Sequence, residues 1–468
     1  MGQSEKKALK SGIWYTISNF IVKGIGFLTA PVFNRIMAIP EKGEWDNFST
    51  WAGVLVIITS LNLEASLIRA KFDYKDNLDE YIVSIMYLST FSTILWFIIY
   101  IIFKQQFVNL LSMDSLYINI IFVYLLFSPI IQIFQTVERI QFKYKWTVFI
   151  SMALAISTSL LSLGLVLWMK NKTDGRVYGF VVPVLIIGLT VYIYFLKKGY
   201  SVNVSNWKYA LGISLPFIPH LLSMFVLSSV DRIMIKKMCG ANEIALYSTA
   251  GTVGSIISIL ITSVNGAYSP WLGEKLNKKD YGIIKKISIP YVLVFAYMTC
   301  CISLATPELL YIIGGDKYMA AKHVMLPIIG GCFFQFVYCM YVNVEQYEKK
   351  TKGMAVASII CAIINFVLNY IYIPKYGYTA AAYTTLVSYF ILLVLHMILV
   401  HSIKMSHVYS NFWIMLFSII IIMIILLSGL LIDMILVRWA ILLISCLIGI
   451  IVVWKNWSKI KKIFAKNK

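Results

Sequence analysis

Long apolar stretches follow one another along almost the whole chain, and each of them can cross a bilayer as a helix. A transmembrane helix needs about 20 mainly apolar residues. The stretches are continuous rather than alternating, which favours helices over a membrane β-barrel. We therefore predict an all-α integral membrane protein with about 14 transmembrane helices joined by short connections. The predicted spans are 11–38, 48–68, 80–103, 115–136, 146–169, 177–196, 209–230, 242–268, 287–306, 320–344, 354–373, 378–401, 411–432 and 436–454.

The composition excludes most soluble enzymes. Hydrophobic residues make up 60% of the chain and charged residues only 13%, whereas soluble domains carry about 25% charged residues. The sequence holds no P-loop, no zinc-ligand spacing and no GxSxG elbow, so neither an ATPase nor a hydrolase is indicated. We predict no catalytic residue, no metal site and no cofactor, and hence no enzyme.

The net charge of +20 is explained by membrane topology and not by nucleic acid binding. Integral membrane proteins concentrate Lys and Arg in their cytoplasmic loops. With a cytoplasmic N-terminus, 27 of the 41 basic residues fall on the inside and 12 on the opposite side, while two lie within the first span. We therefore expect a multi-pass protein of the cytoplasmic membrane with both termini in the cytoplasm. The first span is long and polar in places, which favours an uncleaved helix over a signal peptide.

An internal repeat relates the two halves of the chain. Residues 34–37 (NRIM) end the first span and residues 231–234 (DRIM) end the seventh, and each motif is followed by a Ser-Thr pair, at 49–50 and 248–249. Parallel repeats are a transporter design, with the substrate path between the halves. We predict two six-helix bundles around a central cavity and two additional helices, with bounds 1–205, 206–403 and 404–468.

Polar side chains inside the spans give the candidate binding residues. Such residues are costly in lipid and usually face the bundle interior or water, although Ser, Gly and Asn also serve helix packing. Lys23 lies near the middle of the first span and needs water or an anionic partner, and a guanidinium group suits a phosphate. The candidate substrate-binding residues are Asn19, Lys23, Arg35, Arg69, Arg232, Asn265, Asn365 and Asn369.

Three further polar residues are candidates for coupling or gating, namely Glu64, His220 and Asp231. Structural roles stay open for each of them. Glu64 could form a bridge to Lys23, and Asp231 could pair with Arg232 or with Lys236. His220 follows two prolines that disturb helix hydrogen bonding, and it could be an ordinary interior histidine.

The sequence resembles the Wzx-type polysaccharide biosynthesis flippases, which belong to the same superfamily as the MATE drug exporters and the lipid II flippases. The resemblance covers essentially the whole chain. It rests on two stretches together with the repeated ending of the first span, NRIM at 34–37. The first stretch holds LPFIPH at 215–220, DRIM at 231–234 and ALYS at 245–248, and the second is NFVLNYIYIPKYGYTAAA at 365–382. The family usually has Gly shortly before the Tyr-Ser pair, where this chain has Ile244-Ala245-Leu246.

The resemblance implies a flippase that moves undecaprenyl-pyrophosphate-linked oligosaccharide repeat units of a capsule, O-antigen or exopolysaccharide from the inner to the outer leaflet. It also implies membrane lipids, a polysaccharide polymerase and chain-length machinery as partners. Two alternatives are a MATE-like cation-coupled exporter, which would favour acidic residues in its cavity, and a polymerase-type membrane enzyme, which would carry a large external loop. A scaffold without a transport cycle is a third.

Overall fold

The computed structural model describes residues 3–141, 143–199 and 202–455. The described residues form helices joined by short turns, and no β-strand occurs among them. The helices are α1 (Gln3–Ile36), α2 (Ile39–Thr59), α3 (Leu67–Asp73), α4 (Leu78–Ile102), α5 (Lys104–Leu111), α6 (Ser115–Ile140), α7 (Tyr144–Trp168), α8 (Lys172–Leu196), α9 (Val204–Ser214), α10 (Ile218–Met238), α11 (Ala241–Asn277), α12 (Tyr281–Leu304), α13 (Thr306–Gly314), α14 (Lys322–Tyr347), α15 (Thr351–Tyr376), α16 (Tyr378–Ser402), α17 (Asn411–Leu430) and α18 (Ile435–Lys455).

The expected all-α membrane architecture is confirmed, but the count of 14 spans is not. Within the described residues, ten helices are long and apolar enough to cross a membrane, and two bent pairs raise the number to as many as twelve. The first predicted span, α1, is not among them, and α18 has a shorter apolar segment, Ile435–Ile451. Helix α1 falls outside the set because polar residues along it lower its mean hydropathy.

The second predicted span, 48–68, is wrong as a continuous helix. Helix α2 begins earlier, at Ile39, with Pro40 in its first turn, where the missing N–H of proline costs nothing. It ends at Thr59, because Leu61 and Asn62 take positive φ angles of 53° and 51°. A 3₁₀ turn, Leu63–Ser66, then leads into α3, and the axis bends by 49° between the two pieces.

The chain forms two compact units. Unit 1 takes in the residues up to Thr252 together with Ile313–Gly315 and Ser358–Ala381, and unit 2 takes in the remainder. In unit 1, helices α7 and α8 lie along each other, and α8 approaches so closely at Gly175 and Gly179 that a Cβ atom there would overlap the α7 backbone. The predicted bundle boundaries at 205/206 and 403/404 stay a prediction.

Candidate functional site

The two repeated motifs present their first two residues in the same way. Asn34 on α1 and Asp231 on α10 are buried, with exposed fractions of 1% and 3%. The arginine that follows each of them is more accessible, since Arg35 is exposed and Arg232 is half-buried. Successive residues of a helix point about 100° apart, so the shared pattern means that each motif turns its first residue inward.

Asp231 lies at the centre of a buried polar cluster that joins three helices of unit 1. The Tyr247 hydroxyl of α11 donates to Asp231 Oδ2 at 2.6 Å, and Asn369 Nδ2 of α15 donates to Oδ1 at 2.6 Å. The same amide nitrogen lies 3.1 Å from Asn365 Oδ1. Both asparagines are fully buried. We call these four residues the Asp231 cluster. Two of them, Tyr247 and Asn369, are neutral donors to the buried carboxylate, and their hydrogen bonds stabilise its charge.

The structure thus brings together three residues that the sequence singled out, Asp231, Asn365 and Asn369. It adds Tyr247, which the sequence reasoning did not include among the site residues. The signal for Tyr247 was present in the ALYS landmark, because that tyrosine lies in the first two turns of the helix after the DRIM motif. Its contact with Asp231 depends on how α10 and α11 pack, and helical spacing alone does not give that.

Asn34 and Arg35, at the end of α1, each donate a hydrogen bond to a backbone carbonyl. Asn34 Nδ2 donates to the Ile313 carbonyl at 3.1 Å, and Arg35 Nη1 donates to the carbonyl of Pro31, one turn back, at 3.1 Å. Gly315 lies beside the arginine, because a Cβ atom on Gly315 would be 4.0 Å from Arg35 Cγ. Arg35 is therefore held along its own helix.

Arg232 and Lys23 are cations that have no partner within the part of the chain that the structure describes. Neither residue forms an ion pair or hydrogen bond with any described residue. The Arg232 guanidinium lies against α11, since a Cβ atom on Gly251 would be 3.7 Å from its Nη2. Lys23 is exposed, as is Asn19 one turn earlier on α1. An unpaired cation in a membrane helix needs water or an anion beside it.

The described contacts include neither a Glu64–Lys23 bridge nor an ion pair of Asp231 with Arg232 or Lys236. Glu64 is half-buried in the 3₁₀ turn and has no ion pair with Lys23 among the described contacts. Lys236 pairs with Glu44 of α2, while Asp231 receives its hydrogen bonds from the cluster. Hydrogen bonds from Tyr247 and Asn369 thus hold the Asp231 carboxylate.

Arg69 and Asn265, two further candidates, lie away from the Asp231 cluster. Arg69 is exposed and its Nε lies 3.2 Å from Asp73 Oδ2, one turn along α3. Asn265 belongs to unit 2, where it accepts a hydrogen bond from Asn343 at 2.7 Å. The His220 side chain lies outside the described residues. Within the described parts of the chain, no three His, Cys, Asp or Glu residues converge on a possible metal site.

Comparison with known families decides what kind of membrane protein this is. The family model described as "Polysaccharide biosynthesis protein" matches residues 8–275, which is more than half of the chain. The chain belongs to this family. A second family model, MatE, matches residues 216–371, which is less than half of the chain.

Individual relatives agree with this family membership. A Haemophilus influenzae protein named after the Lsg locus is 22% identical over 370 residues, which cover 76% of this chain and 89% of that protein. A Haloferax volcanii protein named as a probable low-salt glycan biosynthesis flippase, Agl15, is 23% identical over 173 residues, covering 36% of this chain and 37% of that protein. These are relationships at low identity, and they extend over different lengths of the chain.

The fold is similar to that of a solved lipid II flippase. The structure of MurJ in an inward closed conformation superposes with a TM-score of 0.73 and 13% sequence identity, covering 95% of this chain and 99% of that one. At this identity the likeness establishes the fold alone. The family member is thus a multi-helix membrane protein built on the fold of a known lipid flippase.

Proposed function

We propose that the protein is a flippase that moves undecaprenyl-pyrophosphate-linked oligosaccharide repeat units from the inner to the outer leaflet by alternating access. The observation that carries the proposal is the pair of unpartnered cations, Lys23 and Arg232, on two helices of unit 1. A pyrophosphate supplies the anionic partner that such side chains lack, and guanidinium groups bind phosphate oxygens through forked, charge-assisted hydrogen bonds. Family membership and the name of the Haloferax relative support the same substrate class.

The membrane in question is the cytoplasmic membrane, with both termini on the cytoplasmic side. The excess of basic residues in one set of loops supports this orientation. Membrane lipids surround the helices, and a polysaccharide polymerase with its chain-length machinery would use the product at the outer leaflet. Short connections leave little room for a catalytic domain, which supports a transport role without catalysis.

Asp231 is assigned to coupling or gating. Its buried carboxylate is held by Tyr247 and Asn369 from two other helices, so any change in its charge or bonding acts on three helices at once. Intramembrane carboxylates commonly mark ion or proton pathways. Glu64 and His220 are assigned to the same role.

The experiment on the function is a deletion strain that is complemented with the wild-type gene or a variant. Without the protein, undecaprenyl-linked repeat units should accumulate on the cytoplasmic leaflet and surface polysaccharide should be lost. Normal appearance of the repeat units at the outer leaflet in the deletion strain would contradict the proposal. Complementation with Lys23→Gln at unchanged expression should fail. Lys278→Gln, which changes an exposed lysine paired with Glu274 one turn away, should restore the polysaccharide.

A MATE-like cation-coupled exporter is the second candidate, and the MatE match over residues 216–371 favours it. A cationic substrate would be repelled by Lys23 and Arg232, which is why the anionic lipid-linked substrate is preferred. The exporter would be favoured if drug resistance depended on the gene while the deletion strain kept its normal surface polysaccharide.

A further inference from the structure

A pocket of about 320 Å³ lies within unit 1 between α1, α6, α7 and α8. This volume is in the range of sites for small molecules. The pocket is separate from the Asp231 cluster, which is built from α10, α11 and α15. Val22 of α1, the residue before the unpaired Lys23, forms part of its wall.

One face of α6 supplies most of the polar groups in this pocket. Tyr124, Ser128, Gln132 and Gln135 follow one another at steps of four, four and three residues, which places them on the same side of a helix. All four line the pocket. A run of polar side chains along a membrane helix is costly unless the groups meet protein, water or a ligand.

Gln132 is the polar group in this wall that has no partner among the described residues. Its neighbour Gln135 is satisfied, because Gln135 Nε2 donates to Ser151 Oγ of α7 at 3.1 Å. A side-chain amide offers two donor hydrogens and an acceptor oxygen, and leaving them unmade away from water costs free energy. The Gln132 amide is therefore free to bind a ligand with both hydroxyl donors and hydroxyl acceptors.

Two aromatic rings also form part of the pocket wall. Tyr124 of α6 and Phe180 of α8 lie with their ring centroids 5.4 Å apart, and both line the pocket. Their apolar faces can pack against the C–H face of a pyranose ring, while the tyrosine hydroxyl adds a polar group. None of the described residues that line the pocket carries a formal charge.

We propose that this pocket, the α6 pocket, binds a neutral sugar ring of the substrate glycan, with Gln132 as its principal hydrogen-bonding residue. The inference rests on the proposed flippase function and adds a glycan-binding site to it. Uncharged walls do not suit a phosphate, which needs cations or backbone amides. A lipid tail would leave the Gln132 amide unsatisfied in an apolar environment. A sugar satisfies both the amide and the aromatic faces, and it explains why polar and aromatic groups occur together.

The test compares two lipids on the purified full-length protein in nanodiscs. One is undecaprenyl pyrophosphate bearing the repeat-unit oligosaccharide, extracted from the host of this protein, and the other is bare undecaprenyl pyrophosphate. The wild type should bind the glycan-bearing lipid about tenfold more tightly. Gln132→Leu and Gln132→Ala should reduce this preference about three- to tenfold, the loss expected for one hydrogen bond. Both variants should leave the affinity for the bare lipid unchanged, which also shows that they are folded.

Gln105→Leu is the matched control, because Gln105 lies on α5 outside the pocket and bonds to the nearby Asn109. The preference of this variant for the glycan-bearing lipid should equal that of the wild type. An undiminished preference in both Gln132 variants would overturn the α6 pocket and leave the flippase proposal standing. Tighter binding of both lipids to Gln132→Leu would show that a lipid tail occupies the pocket, which also overturns it. Failure of the wild type to bind either lipid would instead contradict the proposed function.

Discussion

At the scale of single residues, we expect transport to depend more on the negative charge of Asp231 than on the shape of its side chain. Asp231→Asn keeps the size of the side chain but removes the buried negative charge that Tyr247 and Asn369 hold in place. If Asp231 acts in coupling or gating, surface polysaccharide in a complemented deletion strain should fall at least about tenfold at unchanged expression. Tyr247→Phe removes one charge-assisted hydrogen bond and should lower stability by about 1.5–3 kcal/mol. Full activity of Asp231→Asn would reduce the Asp231 cluster to a structural role.

Glu308 gives a residue-scale prediction about pH. Arg438 is buried and its Nη1 and Nη2 each donate to Glu308 at 2.9 Å, and these hydrogen bonds lower the pKa of Glu308. Because the pKa of Glu308 is lowered in the folded state, its interaction with Arg438 stabilises the folded protein fully at pH values above the ordinary glutamate pKa of about 4.3. This stabilisation is lost as the pH falls through the lowered pKa.

Glu308→Gln should therefore lower the free energy of unfolding by about 1–3 kcal/mol at neutral pH, since the buried guanidinium loses its charged partner. The difference in the free energy of unfolding between Glu308→Gln and the wild type should become smaller at acidic pH. Thermal unfolding in detergent across this pH range measures it. Glu274→Gln is the control, because its pair with Lys278 is exposed and such pairs contribute little. A difference that stays constant from neutral to acidic pH would show that Glu308 acts through packing.

At the scale of secondary-structure elements, the contact of α7 with α8 depends on Gly179. A Cβ atom on Gly179 would overlap the backbone of Ser162, whereas one on Gly164 would meet nothing within 4 Å. Gly179→Ala should therefore destabilise unit 1 by about 1–3 kcal/mol, the usual cost of overpacking. Gly164→Ala should be neutral or slightly stabilising, because alanine favours a helix over glycine. Equal unfolding temperatures for the two variants would contradict the close packing.

Most helices could be predicted from the sequence because apolar runs of about 20 residues leave little choice in a bilayer. The break after Thr59 could not, because it depends on two residues with positive φ, Leu61 and Asn62, in an otherwise apolar stretch. Likewise, the spacing of Asn365 and Asn369 placed them on one face of a helix. That Asn369 contacts Asp231 follows from packing between distant segments, which periodicity does not encode. Arg69 pairs with Asp73 one turn along its own helix, a local contact that the spacing of four residues already allowed.

At the scale of the whole molecule, the distribution of basic residues predicts that both termini are cytoplasmic. Fusions at either end to a fluorescent protein that matures only in the cytoplasm should fluoresce, and fusions to alkaline phosphatase, which folds only outside, should be inactive. Because the rule counts charges in short loops near the spans, the same result should hold for both ends. Active phosphatase at one end alone would require an odd number of spans.

Transport by the purified protein tests the central claim most directly. The protein is reconstituted into liposomes that carry the undecaprenyl-pyrophosphate-linked repeat unit in both leaflets, and a membrane-impermeant glycosidase is added outside. Liposomes without protein should release only the outer half of the glycan, whereas liposomes with the wild type should release nearly all of it, and those with Lys23→Gln should behave like empty ones. Release of only half by the wild type, under every imposed ion gradient, would contradict the account of this protein as a flippase.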